Sequence, residues 1–254
     1  MFNLLTAEKI KLLRSKKVWI VLGLFVIIPI YQALESKSSS LKQVLETVVN
    51  GATGILMMEK NGFAILLIVS AFISFFIGEE FQNGTIRNVL SLGRSRTQYY
   101  LTKLAVASLL AVVGILIMTA LGIVTYTSLH GFGEVAGIHD YFSYAFKAFG
   151  TLLLLILANV SIYVMISFQS KSSAVSLIWS FLYTIATGFG AGIFLQTEHF
   201  KFITFWFTEA FLFYSDFANP AEISLYPRMV LVSLLTIVIS STIGILLFKR
   251  TDIK

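Results

Sequence analysis

Between Gly78 and Lys103 the chain reads GEEFQNGTIRNVLSLGRSRTQYYLTK, and the carboxylates Glu79 and Glu80 are followed at short spacing by Arg87, Arg94, Arg96 and Lys103. Paired carboxylates can divide general acid and general base work when their surroundings separate their roles. That chemistry also needs a nucleophile, a metal or an orienting base, and the sequence supplies none in a recognisable pattern. It contains no H-E-x-x-H, and His130, His139 and His199 fall in other loops, where they read as solvated or interfacial side chains. There is no cysteine, which excludes thiolate metal sites, thiol nucleophiles and disulfides. No glycine opens a G-x-x-x-x-G-K-[ST] frame, so uphill work would draw on an ATP site in another chain. The stretch is expected to act mechanically.

Hydrophobic sequence positions it. The 254 residues are 57% hydrophobic and 13% charged, with a mean hydropathy of +0.85, a balance that water-soluble domains of this length rarely show. Six stretches approach the roughly 20 apolar residues that cross a bilayer core of about 30 Å: 18–34, 63–77, 104–129, 148–168, 174–195 and 229–248. They are continuous, unlike the alternating segments of a barrel. The fold class is therefore an all-α polytopic membrane protein, a single transmembrane domain of six helices. The first two stretches are short and are expected to need tilt, thinning or polar flanks. The long basic run before the first, with no small-x-small cleavage site after it, reads as a span and not a signal peptide.

Of the nineteen lysines and arginines, thirteen fall on the side that holds both termini and the 78–103 loop, and nine of the thirteen acidic residues fall on the other. Positive charge stays cytoplasmic, which predicts that both termini and this loop are cytoplasmic. The net charge of +6 is then this asymmetry plus attraction to anionic lipid heads, with no call for nucleic acid. None of the six apolar stretches contains Asp, Glu, Lys, Arg or His. Proton and ion carriers normally place ionisable residues there, so a proton-coupled carrier is disfavoured, while backbone-coordinated sodium stays open.

Residues 1–17 read as an amphipathic surface helix, with Leu5, Leu12 and Leu13 in its apolar sector and Lys11, Arg14 and Lys17 outside it. Pro29 is expected to kink span 1. The repeat of Leu41, Val44, Leu45, Val48 and Val49 suggests a helix in the first outer loop. In the central loop, Gly84 and Thr85 mark a helix start, Ile86, Val89 and Leu90 form one side, and Arg87, Asn88 and Ser91 the other. Gly93 falls at a left-handed cap, and Ser95 to Gln98 fits an S-x-x-Q capping box. Gly188 and Gly192 form a G-x-x-x-G pair in span 5, a close-packing signal that also arises by chance. Between spans 5 and 6 an aromatic segment holding Phe205, Trp206 and Phe213 reads as one or two interfacial or re-entrant helices, with Glu209 expected to face water or a partner.

The central loop resembles the E-x-x-x-G-T-x-x-x-L-L-S-x-P-x-S-R-x-x-x-x-x-x-K-L pattern of membrane subunits of type-2 ABC exporters, at Glu80, Gly84, Thr85, Leu90, Ser91, Ser95, Arg96, Lys103 and Leu104. It departs at Gly93, where the pattern has Pro, which suggests a more flexible turn. The layout of surface helix, six spans and extended last outer segment is similar too, and small bacterial exporters of antimicrobial or cytolytic peptides, of the bacitracin-resistance or phenol-soluble-modulin kind, look closest. The resemblance implies a permease in the bacterial plasma membrane. It would pair as a homodimer or heterodimer, hold no cofactor itself, and bind a cytoplasmic ATPase subunit that carries ATP-Mg. It further implies that residues 83–92 are the coupling helix, with Glu79, Glu80, Gly84, Thr85, Arg87, Val89, Leu90, Arg94 and Arg96 at the ATPase-coupling site and Ile86, Val89 and Leu90 in an apolar groove of that ATPase. The substrate class would be amphipathic peptides or other lipophilic molecules. Two other classes stay open on the residues alone: a non-transporting immunity or sensor protein that binds through the aromatic segment, and a passive or secondary transporter.

Overall fold

The computed structural model describes residues 2–35, 50–52, 56, 62–135, 137–197, 199, 201–217 and 219–251. Helix α1 is Phe2–Arg14 and α2, the first span, is Lys16–Glu35. Span 2 is α3, Gly62–Gln82, and the loop helix α4 is Thr85–Ser91. Spans 3, 4 and 5 are α5, Arg96–His130, α6, Tyr141–Ser170, and α7, Ser173–Leu195. Two short helices, α8, Lys201–Thr204, and α9, Thr208–Tyr214, precede a 3-10 turn at Pro220–Leu225 and span 6, α10, Tyr226–Arg250. Six helices are long and apolar enough to cross a membrane, and no strand occurs among the described residues, as the all-α polytopic class requires. The helical repeat expected over residues 41–49 lies outside the described residues.

The helices overrun the apolar stretches because their backbone bonds continue into polar flanks. Span 2, at 21 residues, rises about 31 Å, its apolar run extended by polar flanks. Its last turn carries Glu79 and Glu80 beyond that run. Span 3 has 35 residues and is about 52 Å long, so it projects past a core of about 30 Å. Pro29 does not end span 1, which stays helical to Glu35 with the proline ring buried.

Span 4 is the hub, packing against spans 2, 3, 5 and 6 and against α9. Lipid tails are as apolar as Leu, so hydrophobicity alone gives helices little reason to prefer one another; close approach and interhelical hydrogen bonds decide. A serine ladder does this work on one side. Ser176 of span 5 donates to Ser74 of span 2 at 2.9 Å and lies 2.6 Å from Ser167 of span 4. Ser161 and Ser240 join spans 4 and 6 at 2.7 Å, and Tyr163 and Thr184 join spans 4 and 5 at 2.6 Å. Gly78 lets spans 2 and 5 touch: a Cβ there would lie 2.5 Å from both the Cα and the amide nitrogen of Ser173. Gly78→Leu is therefore expected to cost about 1–3 kcal/mol through overpacking. Gly150→Leu, at a site open to solvent or lipid, should stay near wild type, and thermal denaturation of both variants in mild detergent measures the difference.

Candidate functional site

The central loop is built as its cap signals predict. Gly84 adopts φ 67° at the start of α4, and the Thr85 hydroxyl donates to Glu80 O at 3.2 Å. Gly93 adopts φ 80° just past the helix, its N–H donating to Leu90 O at 3.1 Å. Proline, fixed near −65°, could not take that conformation, so the glycine gives this turn a different geometry from the proline of the pattern. Ser95 Oγ accepts from Gln98 N at 3.2 Å and caps span 3.

The orientation of α4 corrects the expected docking face. Ile86 is 1% exposed and belongs to the membrane-domain core, with Val89 and Leu90 half-buried against the same core. The apolar side of α4 is thus consumed by its own chain, because a seven-residue helix is held only by what it packs on. What faces outward is Thr85, Arg87, Asn88 and Ser91, followed by Leu92, which is 81% exposed. Arg94 is half-buried at the turn.

Behind α4 lies a buried ion cluster. Lys103, eight residues into span 3, is 0% exposed, and its Nζ sits 2.6 Å from Glu8 Oε1 of α1 and 2.6 Å from Glu80 Oε1 of span 2. Lys11 of α1 pairs with the same Glu80 oxygen, and the Tyr99 hydroxyl donates to Glu80 Oε2. The ammonium also lies 4.3 Å from the Phe76 ring centroid. Two carboxylates and two ammoniums make the cluster neutral. Coulomb attraction is strong in such a dry setting, and it offsets the desolvation of each ion only while every partner is present. Glu79 is separate and half-exposed, paired with Lys17 at the start of span 1.

Arg96 does not face outward as a coupling residue would. Its Nη1 donates to Phe248 O and Lys249 O at 2.9 Å and to Thr251 O at 2.5 Å, and its guanidinium lies 5.8 Å from the Phe248 ring centroid. It satisfies the carbonyls that the last turn of span 6 leaves without helical partners. The described ends of the chain thereby meet the loop on one face: α1 through the ion cluster and span 6 through Arg96.

On the opposite face α8 and α9 form the aromatic segment. Phe205 and Trp206 lie in the turn after α8, 5.1 and 5.6 Å from the Arg228 guanidinium, which also donates to Phe202 O at 3.3 Å. Gly188 and Gly192 prove to be a seat for α9. A Cβ on Gly188 would lie 2.8 Å from the Phe213 ring and one on Gly192 would collide with the Tyr214 hydroxyl, which donates to Gly188 O at 3.0 Å. Thr208 reaches Asn159 of span 4, eleven residues from that helix's end at Ser170, or about 17 Å along its axis. α9 therefore packs among the spans, and Glu209, expected to face water or a partner, is instead enclosed by its own chain at 0% exposed. Desolvation raises its carboxyl to about 7, against the opposing influence of its own backbone, Tyr183 and Thr208.

The loop thus brings together Glu80, Gly84 and Thr85, turns Arg96 and the apolar side of α4 inward, and adds Glu8, Lys11, Tyr99 and Lys103. Lys103 was visible only as a position of the loop pattern, and Glu8 and Lys11 only as an i, i+3 acid–base pair on α1. Among the described residues no group of acidic or histidine side chains could hold a metal ion.

Six apolar helices long enough to cross a membrane, with a capped loop anchored by buried ions, are the architecture of a membrane transport subunit. The chain matches the family model described as ABC-2 family transporter protein over residues 4–187, and it belongs to that family. Its place is therefore as the membrane subunit of an ABC transporter that works with an ABC ATPase carried by a separate subunit. A search of curated proteins finds no match. The matched residues include α1, the loop and the ion cluster, and they end before α8 and α9.

Lys103→Met leaves Glu8 and Glu80 buried without their shared cation and is expected to cost about 3–5 kcal/mol. Glu80→Gln in the same chain should recover part of that loss. Unfolding of the single and double variants in detergent, followed by the loss of helical circular dichroism, measures both.

Proposed function

We propose that the chain is the permease half of an ATP-driven exporter of amphipathic peptides or other lipophilic molecules, in a bacterial plasma membrane with both termini cytoplasmic. One observation carries the coupling part of this reading. The outward surface of α4, made by Arg87, Asn88, Ser91 and the exposed Leu92, stands on a base fixed to α1, span 2 and span 3 by the Lys103 cluster. A push on α4 is therefore delivered to three membrane elements together. ATP closure in the partner subunit would supply the push, and no group of this chain handles the nucleotide.

The positive-inside asymmetry supports the orientation, because thirteen of the nineteen Lys and Arg residues lie on the α4 side. The substrate class is supported by the apolar character of the grooves between spans. One, of about 760 Å³, runs between spans 4, 5 and 6 past Met165, Trp179, Leu182 and Leu247 and ends at Gln169 and Ser170. It offers an apolar wall with a polar mouth, which suits a molecule with one apolar and one polar side. Spans 1, 5 and 6 keep most of their surface free in the single chain, and pairing with a second permease, identical or related, would cover part of it.

Leu92→Asp and Arg87→Glu should lower copurification of the ATPase subunit by about tenfold or more, the loss of roughly 1.4 kcal/mol or more of binding. Membrane insertion and thermal stability should remain near wild type, since neither side chain is buried. Ile86→Asp should instead destabilise the permease itself. Stoichiometric ATPase retained by both surface variants would remove α4 from the docking role. Failure of wild type to copurify any ATPase in mild detergent would favour the shielding or sensing class.

A further inference from the structure

The six apolar stretches carry no ionisable residue, yet the short helix α9 places one inside the membrane domain. Glu209 is fully buried, with Asn159 and Thr208 beside it at 0% and 2% exposed. Asn159 Nδ2 donates to Leu155 O at 3.0 Å and to Thr208 Oγ1 at 3.1 Å, and the Thr208 hydroxyl donates to Glu209 Oε2 at 3.3 Å. The Tyr183 hydroxyl of span 5 and the Glu209 backbone also hydrogen-bond the carboxyl. Glu209 Oε1 and Asn159 Oδ1 are both buried and accept no hydrogen bond. A buried carboxylate oxygen that accepts no hydrogen bond is relieved when the carboxyl takes up a proton.

The surroundings give no other means of neutralising the charge. α9 packs against spans 2, 4, 5 and 6. Span 5 turns Tyr183 toward Glu209. Span 4 contributes Tyr163, whose hydroxyl is engaged with Thr184. Span 2 meets α9 through Gly62 and Phe63, against Leu212 and Phe213. The arginine of span 6, Arg228, is held by Phe202 O and by the rings of Phe205 and Trp206. No ion pair among the described residues includes Glu209. A lone buried carboxylate is expensive, and the cheapest relief is to take a proton.

We propose that Glu209, Thr208 and Asn159 form a proton-binding site that is filled while α9 is seated between spans 4 and 5 and emptied when α9 moves toward water. One proton passes from water to the Glu209 carboxylate on seating, changing its charge from −1 to 0, and returns to water on release. Protons therefore favour the seated helix and their removal favours the displaced one. A carboxyl held above its unfolded range stabilises the seated state fully in acid and loses that stabilisation as pH rises through the raised value. The site lies outside the α4 docking surface, and its test involves neither ATPase nor substrate.

Hydrogen–deuterium exchange of the full chain in lipid nanodiscs, corrected for intrinsic exchange, reads the opening of residues 208–214. Between about pH 6 and about pH 8 the opening of α9 in wild type should rise about tenfold, as expected for a carboxyl that titrates near 7 when seated and near 4.5 when free. Glu209→Gln should stay closed and show no such rise. Thr208→Val keeps the acid but removes the donor to its ionised form, so the midpoint of the wild-type transition should move to higher pH. That variant carries the test if Glu209→Gln fails to fold. Opening that is independent of pH in wild type would overturn the proposal, as would a midpoint unmoved by Thr208→Val. Closure of α9 by added sodium at constant alkaline pH would also overturn it, in favour of a metal ion.

Discussion

The burial of Lys103 between Glu8 and Glu80 is the constraint on which the rest of this structure depends. An ammonium with no exposed surface near the end of a membrane helix is tolerated only if carboxylates reach it, and they come from two different elements. Surface helix, span 2 and span 3 are therefore not free to drift independently. The aromatic rings of Tyr99, Phe81, Phe168 and Phe248 pack together beside the cluster, edge to face except for the tilted pair Tyr99 and Phe248. They exclude water, which strengthens the ionic contacts while making any missing partner costly. Loop helix α4 inherits its position from this arrangement, since both of its tethers, Gly84 to span 2 and Gly93 to span 3, begin at the clamped ends.

Membrane architecture was legible because its cause is one-dimensional. Twenty apolar residues in a row have few alternatives, so all six spans could be read from hydropathy, with only their polar extensions missed. The caps at Gly84, Gly93 and Ser95 were equally readable, because cap chemistry is local. What the chain does with a side chain across space was not readable. Periodicity identified the apolar side of α4 but not what it faces, and the facing partner turned out to be the chain's own core. Arg96 looked like a loop cation and instead caps a helix that lies 152 residues further on. Glu8 carries no local signal that Lys103 will come to it.

Glu209 shows the same limit in a different way. The exclusion of ionisable groups from the membrane rested on the six stretches themselves, and within them it holds. Hydropathy does not register that α9 packs among the spans, because it is only seven residues long and is flanked by aromatics that suit either interface or interior. The glycines of span 5 were the available hint. Their spacing advertises a close neighbour, and the neighbour is the pair of aromatic rings that follows Glu209 by four and five residues.

Arg96 also fastens the end of span 6 to the start of span 3, through three carbonyl groups that include Thr251. The last turn of span 6, through Thr251, is thereby tied to the loop. A fluorophore or a spin label placed just after Thr251 would ride with the loop, and its distance to a second label on α1 would follow the clamp opening and closing without any probe on the docking surface.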